Sequence, residues 1–162
     1  MKLIESKQFK YILYAVIAIF VIFNFMGKKQ VSAPIKPYVE IGGQKVFVEI
    51  ADTEEKRNLG LSGHRPLEDN EGMLFIFPES GTHGFWMKDM LFPIDIIWLA
   101  DVANSADGVK QIIYIKKSAT PESYPEIFSP MKPSKYILEV PAGFSNTLKL
   151  KEGDSASFYF TP

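Results

Sequence analysis

The chain has 162 residues, 46% of them apolar and 14% aromatic, which supplies a core for one domain plus an appendage and excludes disorder of the whole. The net charge of −1 is divided: Met1 to Pro37 carries six lysines against one glutamate, and Tyr38 to Pro162 carries twelve Lys or Arg against eighteen Asp or Glu. An acidic folded part has no footprint for phosphate backbones, so no nucleic-acid partner is expected. The absence of cysteine excludes disulfides, thiolate nucleophiles and iron–sulfur clusters, and two histidines cannot make a three-His zinc site.

Residues 1–10 read as a short N-terminal tail. Tyr11 to Met26 follows as an apolar run in which only Asn24 is strongly polar, with Lys7 and Lys10 before it and Lys28 and Lys29 after it. Sixteen helical residues rise roughly 24 Å, a little less than a hydrocarbon core of about 30 Å, and snorkelling lysines cover the difference. A single transmembrane or signal-anchor helix over residues 11–27 is therefore expected. Val31-Ser32-Ala33 has the small residues of a signal-peptidase site, but Pro34 in the following position disfavours cleavage. With the short N-terminus inside, the domain lies on the extracytoplasmic side of the membrane. Residues 28–37, with Pro34 and Pro37, read as a linker.

Residues 38–162 read as a β-rich globular domain. Val39 to Ile41 and Lys45 to Ile50 flank Gly42-Gly43, a hairpin signal. Asp52 with Glu55 three residues on forms a capping-box pattern, opening a short helix from Thr53 to about Leu59 that Gly60 ends. Met73 to Phe77 is a continuous apolar run between Gly72 and Pro78, consistent with a buried strand. Gly84 to Lys88, Ile94 to Leu99 and Val109 to Ile115 are further strands, the last with Ile113 and Ile115 on one face and Ile112 and Tyr114 on the other. Asp101 to Gly108 is a polar turn, and Thr120 to Pro133, with four prolines, is an irregular loop. Tyr136 to Val140 and Ser155 to Phe160 close the set. Seven or eight short strands with one small helix predict a mainly β sandwich or barrel.

Gly72-Met73-Leu74-Phe75, Phe85-Trp86-Met87-Lys88, Pro93-Ile94-Asp95-Ile96-Ile97 and Tyr136-Ile137-Leu138-Glu139-Val140 occur in that order. Gly60-Leu61 precedes them, and Ala142-Gly143 and Gly153-Asp154 follow. In this series, over Val46 to Phe160, the chain resembles the prokaryotic family named domain of unknown function 192. The resemblance implies a small, mainly β, sandwich-like fold, often with a signal peptide or membrane anchor, and it implies no activity. Where many members have Asn-Thr after the Met-Lys, this chain has Asp89-Met90, and Ser62 stands where many have Met.

Four residues are candidate ligand-binding groups. In an extended Phe85 to Lys88, Trp86 and Lys88 share a face, a pairing that suits a sugar ring or a carboxylate; the structural alternative packs Trp86 between sheets and pairs Lys88 with Asp95 or Glu139. Asp95 lies in an apolar strand and must be exposed, paired or shifted in pKa; it reads as a site residue or as the partner of a Lys, a Tyr hydroxyl or backbone N–H groups. Glu139 shares a face with Ile137 and reads the same two ways. Asp95 and Glu139 together would make a glycosidase-like carboxylate pair, with Lys88 as electrostatic support. Gly60-Leu61-Ser62-Gly63 approaches a nucleophile elbow, but His64 replaces its last glycine and no strand precedes it. His64 and His83 read as solvated loop residues, no phosphate-cradling glycine loop is present, and no metal or cofactor is expected. Two readings stand: a membrane-anchored binding or interaction module of the cell envelope, with a saccharide or protein partner, and an envelope enzyme acting on a glycan through Asp95 and Glu139.

Overall fold

A computed structural model of the chain describes residues 11–20, 36–103 and 108–160. The chain divides into two units, residues 1–35 and 36–162. In the first unit, residues 11–20 are helical (α1) and exposed. No helix among the described residues is long and apolar enough to cross a membrane. Residues 21–27 of the expected span, the tail 1–10 and most of the expected linker lie outside the described residues.

Among the described residues, the second unit has seven strands: β1 (Tyr38–Ile41), β2 (Gln44–Ala51), β3 (Glu71–Gly81), β4 (Ile94–Asp101), β5 (Val109–Ala119), β6 (Ser134–Pro141) and β7 (Ser155–Tyr159). Their order is β1-β2-β3-β6-β4-β5-β7, and β7 pairs back onto β1. The fold is therefore a closed barrel rather than the sandwich that the family resemblance implied, and closure leaves no free sheet edge. Every pairing is antiparallel except β2 with β3. A parallel pair needs a crossover, which the segment containing α2 (Glu54–Leu59) supplies.

The β1–β2 turn is Gly42-Gly43, as the sequence predicts. Both glycines have positive φ, +57° and +78°, and a side chain at Gly42 would meet Leu150 at 2.9 Å. α2 is capped one residue later than the capping box predicts. Thr53 Oγ1 accepts from the Lys56 N–H at 3.3 Å, while Asp52 is held by the Lys56 ammonium at 2.8 Å. Gly60 ends the helix, its N–H donating to the Lys56 carbonyl.

β3, β6 and β4 are adjacent and buried on both faces, which explains why their sequences read as apolar runs without alternation. One core fills the barrel, with Val46, Leu74, Ile97, Leu99, Leu138 and Val140. A second covers the outside of the same strands, where Met73, Phe75, Ile96, Trp98 and Ile137 meet Phe85, Met87, Phe92 and Phe128 from the connecting loops.

Gly84 to Lys88 is no strand; Phe85 makes one isolated bridge to Phe128. β3 runs on through Pro78, which is tolerated because the pairing with β6 is interrupted between Ile76 and Gly81. In β5, Ile113 is an extra residue in a bulge, so Ile112 and Ile115 share the inner core, while Ile113 and Tyr114 pack outside. A short helix, α3 (Phe144–Thr147), was not anticipated.

Candidate functional site

The two buried carboxylates separate first. Asp95 pairs in register with Val140, and Ile96 with Glu139. Opposed residues in an antiparallel pair share a face, so Asp95 turns toward the inner core and Glu139 toward the outer one. The expected glycosidase-like pair of Asp95 and Glu139 does not form, because the sheet lies between them.

Asp95 is fully buried and fully bonded. Its Oδ1 accepts from the N–H groups of Ser118 at 2.7 Å and Gly143 at 3.1 Å, and its Oδ2 from the Ser145 N–H at 2.8 Å. Gly143 is the N-cap of α3 and has no side chain to offer. Asp95 takes over that role from a strand nearly fifty residues earlier and fastens β5, the β6–α3 turn and β4 together. Of its two sequence readings, the partner of backbone N–H groups is the one the contacts describe.

Glu139 is the opposite case. It is only 4% exposed, and its Oε2 has no hydrogen-bond partner among the described residues. Burial alone pushes its carboxyl up from 4.5 to about 8, so it is protonated at neutral pH. It lines a cleft of about 410 Å³ between α2, β3 and the loop after β3.

Trp86 and Lys88 line the same cleft. The predicted facing of this segment holds although the strand does not: Phe85 and Met87 are buried, while Lys88 is exposed and Trp86 is 53% exposed. Trp86 is thus not packed between sheets, and Lys88 forms no ion pair with Asp95 or Glu139. Three of the four candidate residues meet in one cleft; Asp95 does not.

The opposite wall of the cleft has no counterpart among the four candidate residues. Arg57, Gly60, Leu61 and Ser62 line it, with Phe75 and Phe77 from β3. Gly60 packs against the Phe75 ring, with a Cβ there falling 3.3 Å from it. The Ser62 hydroxyl donates to the Lys88 carbonyl at 3.0 Å, and the Gly63 N–H donates to the Asp89 carbonyl at 3.0 Å. These bonds tie the two motif segments across the cleft. Asp89 has φ +56°, a left-handed conformation that Asp and Asn tolerate best, so the exchange of Asn for Asp here preserves the turn. His83 also lines the cleft, stacked on Phe77 at 3.6 Å, with its Nε2 3.0 Å from the Glu79 carbonyl. His64 lines a separate cleft of about 390 Å³. No cluster of three metal-ligating side chains occurs among the described residues.

The family model described as Uncharacterized ACR, DUF192, matches residues 38–158. The chain belongs to the DUF192 family. The match runs from β1 to β7 and contains every residue of the cleft. Two relatives are UPF0127 proteins. That of Thermococcus gammatolerans is 30% identical over 119 residues, which is 70% of this chain and 67% of its own length. That of Thermococcus kodakarensis is 31% identical over 116 residues, 68% of this chain and 64% of its own. The chain thus spans about two thirds of the length of these DUF192 relatives. A crystal structure from Sinorhizobium meliloti 1021, provisionally described as a transcription regulator, superposes with a TM-score of 0.64 at 29% identity, covering 75% of this chain and 91% of that one.

Proposed function

We propose that this DUF192 protein is a membrane-tethered, extracytoplasmic binding module of the cell envelope, whose cleft over Glu139 takes a saccharide or a protein side chain. The observation that carries the reading is the buried Glu139, whose Oε2 has no partner among the described residues, lining a cleft beside a half-exposed Trp86. A buried polar atom without a partner costs free energy that a ligand can return, and an exposed aromatic ring provides a stacking surface. The tether rests on the apolar run from Tyr11 and its flanking lysines. Nucleic acid is not among the partners proposed, because the domain is acidic.

The enzyme alternative rests on Asp95 acting with Glu139 across a glycan. Asp95 is on the other face of the sheet, and its oxygens are taken by backbone N–H groups. A binding role asks for nothing beyond the cleft as it stands.

The test is thermal unfolding of the full chain in detergent, with divalent metals, cell-wall saccharides and short envelope peptides. A ligand at about one hundred times its dissociation constant stabilises by roughly 2.7 kcal/mol, a rise on the order of 5–10 °C. The expected result is a rise with one ligand class that disappears in Trp86→Ala. A rise unchanged in Trp86→Ala and in Glu139→Gln would remove the site from this cleft. The tether is tested with a reporter fused after Pro162, which should be active only outside the cytoplasm.

A further inference from the structure

The cleft combines an unpaired carboxyl with aromatic walls. Phe75, Phe85 and Trp86 line it together with Glu139. Phe85 stands edge-on to Phe75 at 4.8 Å, so the rings form a corner rather than a flat floor. A largely buried carboxyl with one oxygen, Oε2, that has no donor among the described residues is best relieved by a group that brings several N–H donors and a positive charge. Aromatic faces select the same charge through their quadrupole. The domain from Tyr38 on is acidic, which draws cations toward it and repels anions.

The charged groups facing the cleft leave room for such a ligand. Arg57, on α2, is committed: its Nη1 donates to the carbonyls of Asp52 at 2.7 Å and Ile76 at 2.9 Å, and its guanidinium lies over Phe77 at 5.1 Å. His83 is stacked on the same ring. Lys88 is exposed at the rim, and Glu54 on α2 and Glu79 on β3, also exposed and lining the cleft, offset its charge. No protein cation is paired with Glu139 among the described residues.

We propose that the cleft receives a primary ammonium group carried on an aliphatic stem, with Glu139 as its carboxylate partner and the rings of Phe75, Phe85 and Trp86 as its walls. This deepens the reading of the cleft as a ligand site and rests on it. An ammonium fits the cleft volume with its stem, as a lysyl side chain would present it. Entry is coupled to a proton. In the empty cleft Glu139 holds its proton at neutral pH; when the ammonium arrives, the carboxylate forms and that proton leaves to solvent. Charge balances within the site: one cation enters and one proton departs.

The experiment titrates the full chain in detergent with Nα-acetyl-lysine amide, with the Nα,Nε-diacetylated amide as its neutral counterpart, and with glucosamine. Tryptophan fluorescence gives affinity, and calorimetry in two buffers of different ionisation enthalpy counts protons. The lysine amide should bind with an affinity that rises nearly tenfold per pH unit from about pH 5.5 and levels off above about pH 8, as the ionised fraction of Glu139 does. Nearly one proton should be released per amine at about pH 6.5. The diacetylated amide should not bind. Glucosamine, whose amine has no stem, should bind more weakly; equal or tighter binding overturns the stem. Glu139→Gln should lose at least tenfold in affinity while circular dichroism and the unfolding midpoint report an intact fold. Lys88→Met, which removes a like charge, should tighten amine binding a few-fold, whereas loss of binding there would mark an anion site and overturn the proposal. Binding of the neutral amide or of a neutral saccharide, still sensitive to Trp86→Ala, would overturn the ammonium while leaving the cleft as the ligand site. If no compound of any class perturbs the cleft, both readings fail.

Discussion

Asp95 and Glu139 sit on neighbouring strands, one register step apart, and both are buried, yet they face opposite sides of the sheet and live in opposite chemistry. Asp95 is surrounded by three backbone N–H donors within 3.1 Å. Glu139 has an oxygen with none among the described residues. The difference teaches that burial of a carboxylate says little by itself. Where the surrounding backbone supplies donors, the group is part of the scaffold; where it does not, the group is a liability to the fold and becomes a candidate for function.

The largest contrast is expected from deleting each group. Asp95→Ala strands three backbone donors, the buried Ser145 N–H and the part-buried N–H groups of Ser118 and Gly143 that water reaches more easily; at on the order of 1–3 kcal/mol for a buried donor and less for the other two, unfolding stability should fall by roughly 3–5 kcal/mol. Asp95→Asn keeps one acceptor oxygen and should fall by less. Glu139→Met removes an unpaired polar group and replaces it with an apolar chain of similar length, so it should be neutral or stabilising. Urea denaturation at neutral pH measures all three. A Glu139→Met loss as large as that of Asp95→Ala would break the comparison.

Proton linkage is expected to have nearly the same size. Glu139 is raised from 4.5 to about 8 on folding. Below about pH 4.5 it is protonated in both states and has no effect. Between about 4.5 and about 8 the folded state holds a proton that the unfolded chain has released, so stability falls as pH rises. Above about 8 the loss is complete, roughly 4–5 kcal/mol at about 1.4 kcal/mol per unit. Glu139→Gln should flatten this slope. Denaturation midpoints from about pH 4.5 to 9 check it; an unchanged slope in the variant would assign the dependence elsewhere.

A smaller effect tests whether the backbone holds Glu139 in place. Gly72 lies under β6, and a Cβ there would fall 2.7 Å from the Glu139 carbonyl and 3.0 Å from Val46. Backbone cannot yield as a flexible side chain does, so Gly72→Ala should cost roughly 1–3 kcal/mol. It should also lower the midpoint of the Glu139 titration, because a displaced β6 lets water reach the carboxyl. A destabilised variant with an unchanged titration would separate the strand's position from the carboxyl's burial.

What was legible in the sequence was local. Gly42-Gly43 marks its own hairpin, Gly60 ends its own helix, and the apolar runs at Met73 and Ile94 announce strands buried on both faces. Non-local features were hidden. α3 carries no capping residue of its own because Asp95 caps it from another strand. The bulge at Ile113 reverses the alternation that the period predicts, and nothing in Gln111 to Tyr114 announces an extra residue. The alternation of Phe85 to Lys88 sorted buried from exposed residues correctly without a strand to enforce it, because Phe85 and Met87 are held down by the outer core. The cleft was half visible. Trp86, Lys88 and Glu139 stood out by residue type, but Arg57, Phe75 and Ser62 reach it only through the β2–β3 crossover and closure of the barrel.

Trp86 and Lys88 complete the comparison from the side of function. Neither is fixed by the core: Trp86 is 53% exposed, and Lys88 is exposed with no carboxylate partner among the described residues. Trp86→Ala and Lys88→Ala should therefore each change stability by about 0.5 kcal/mol or less, the ordinary range for surface positions. If the cleft is a ligand site, the same Trp86→Ala change should remove the ligand-induced rise in unfolding temperature. Stability and ligand response then dissociate at Trp86 and Lys88, as they do at Glu139, whereas Asp95 acts on stability. A Trp86→Ala variant that loses several kcal/mol would mean the ring supports the loop over the outer core, and its exposure would no longer point to a ligand.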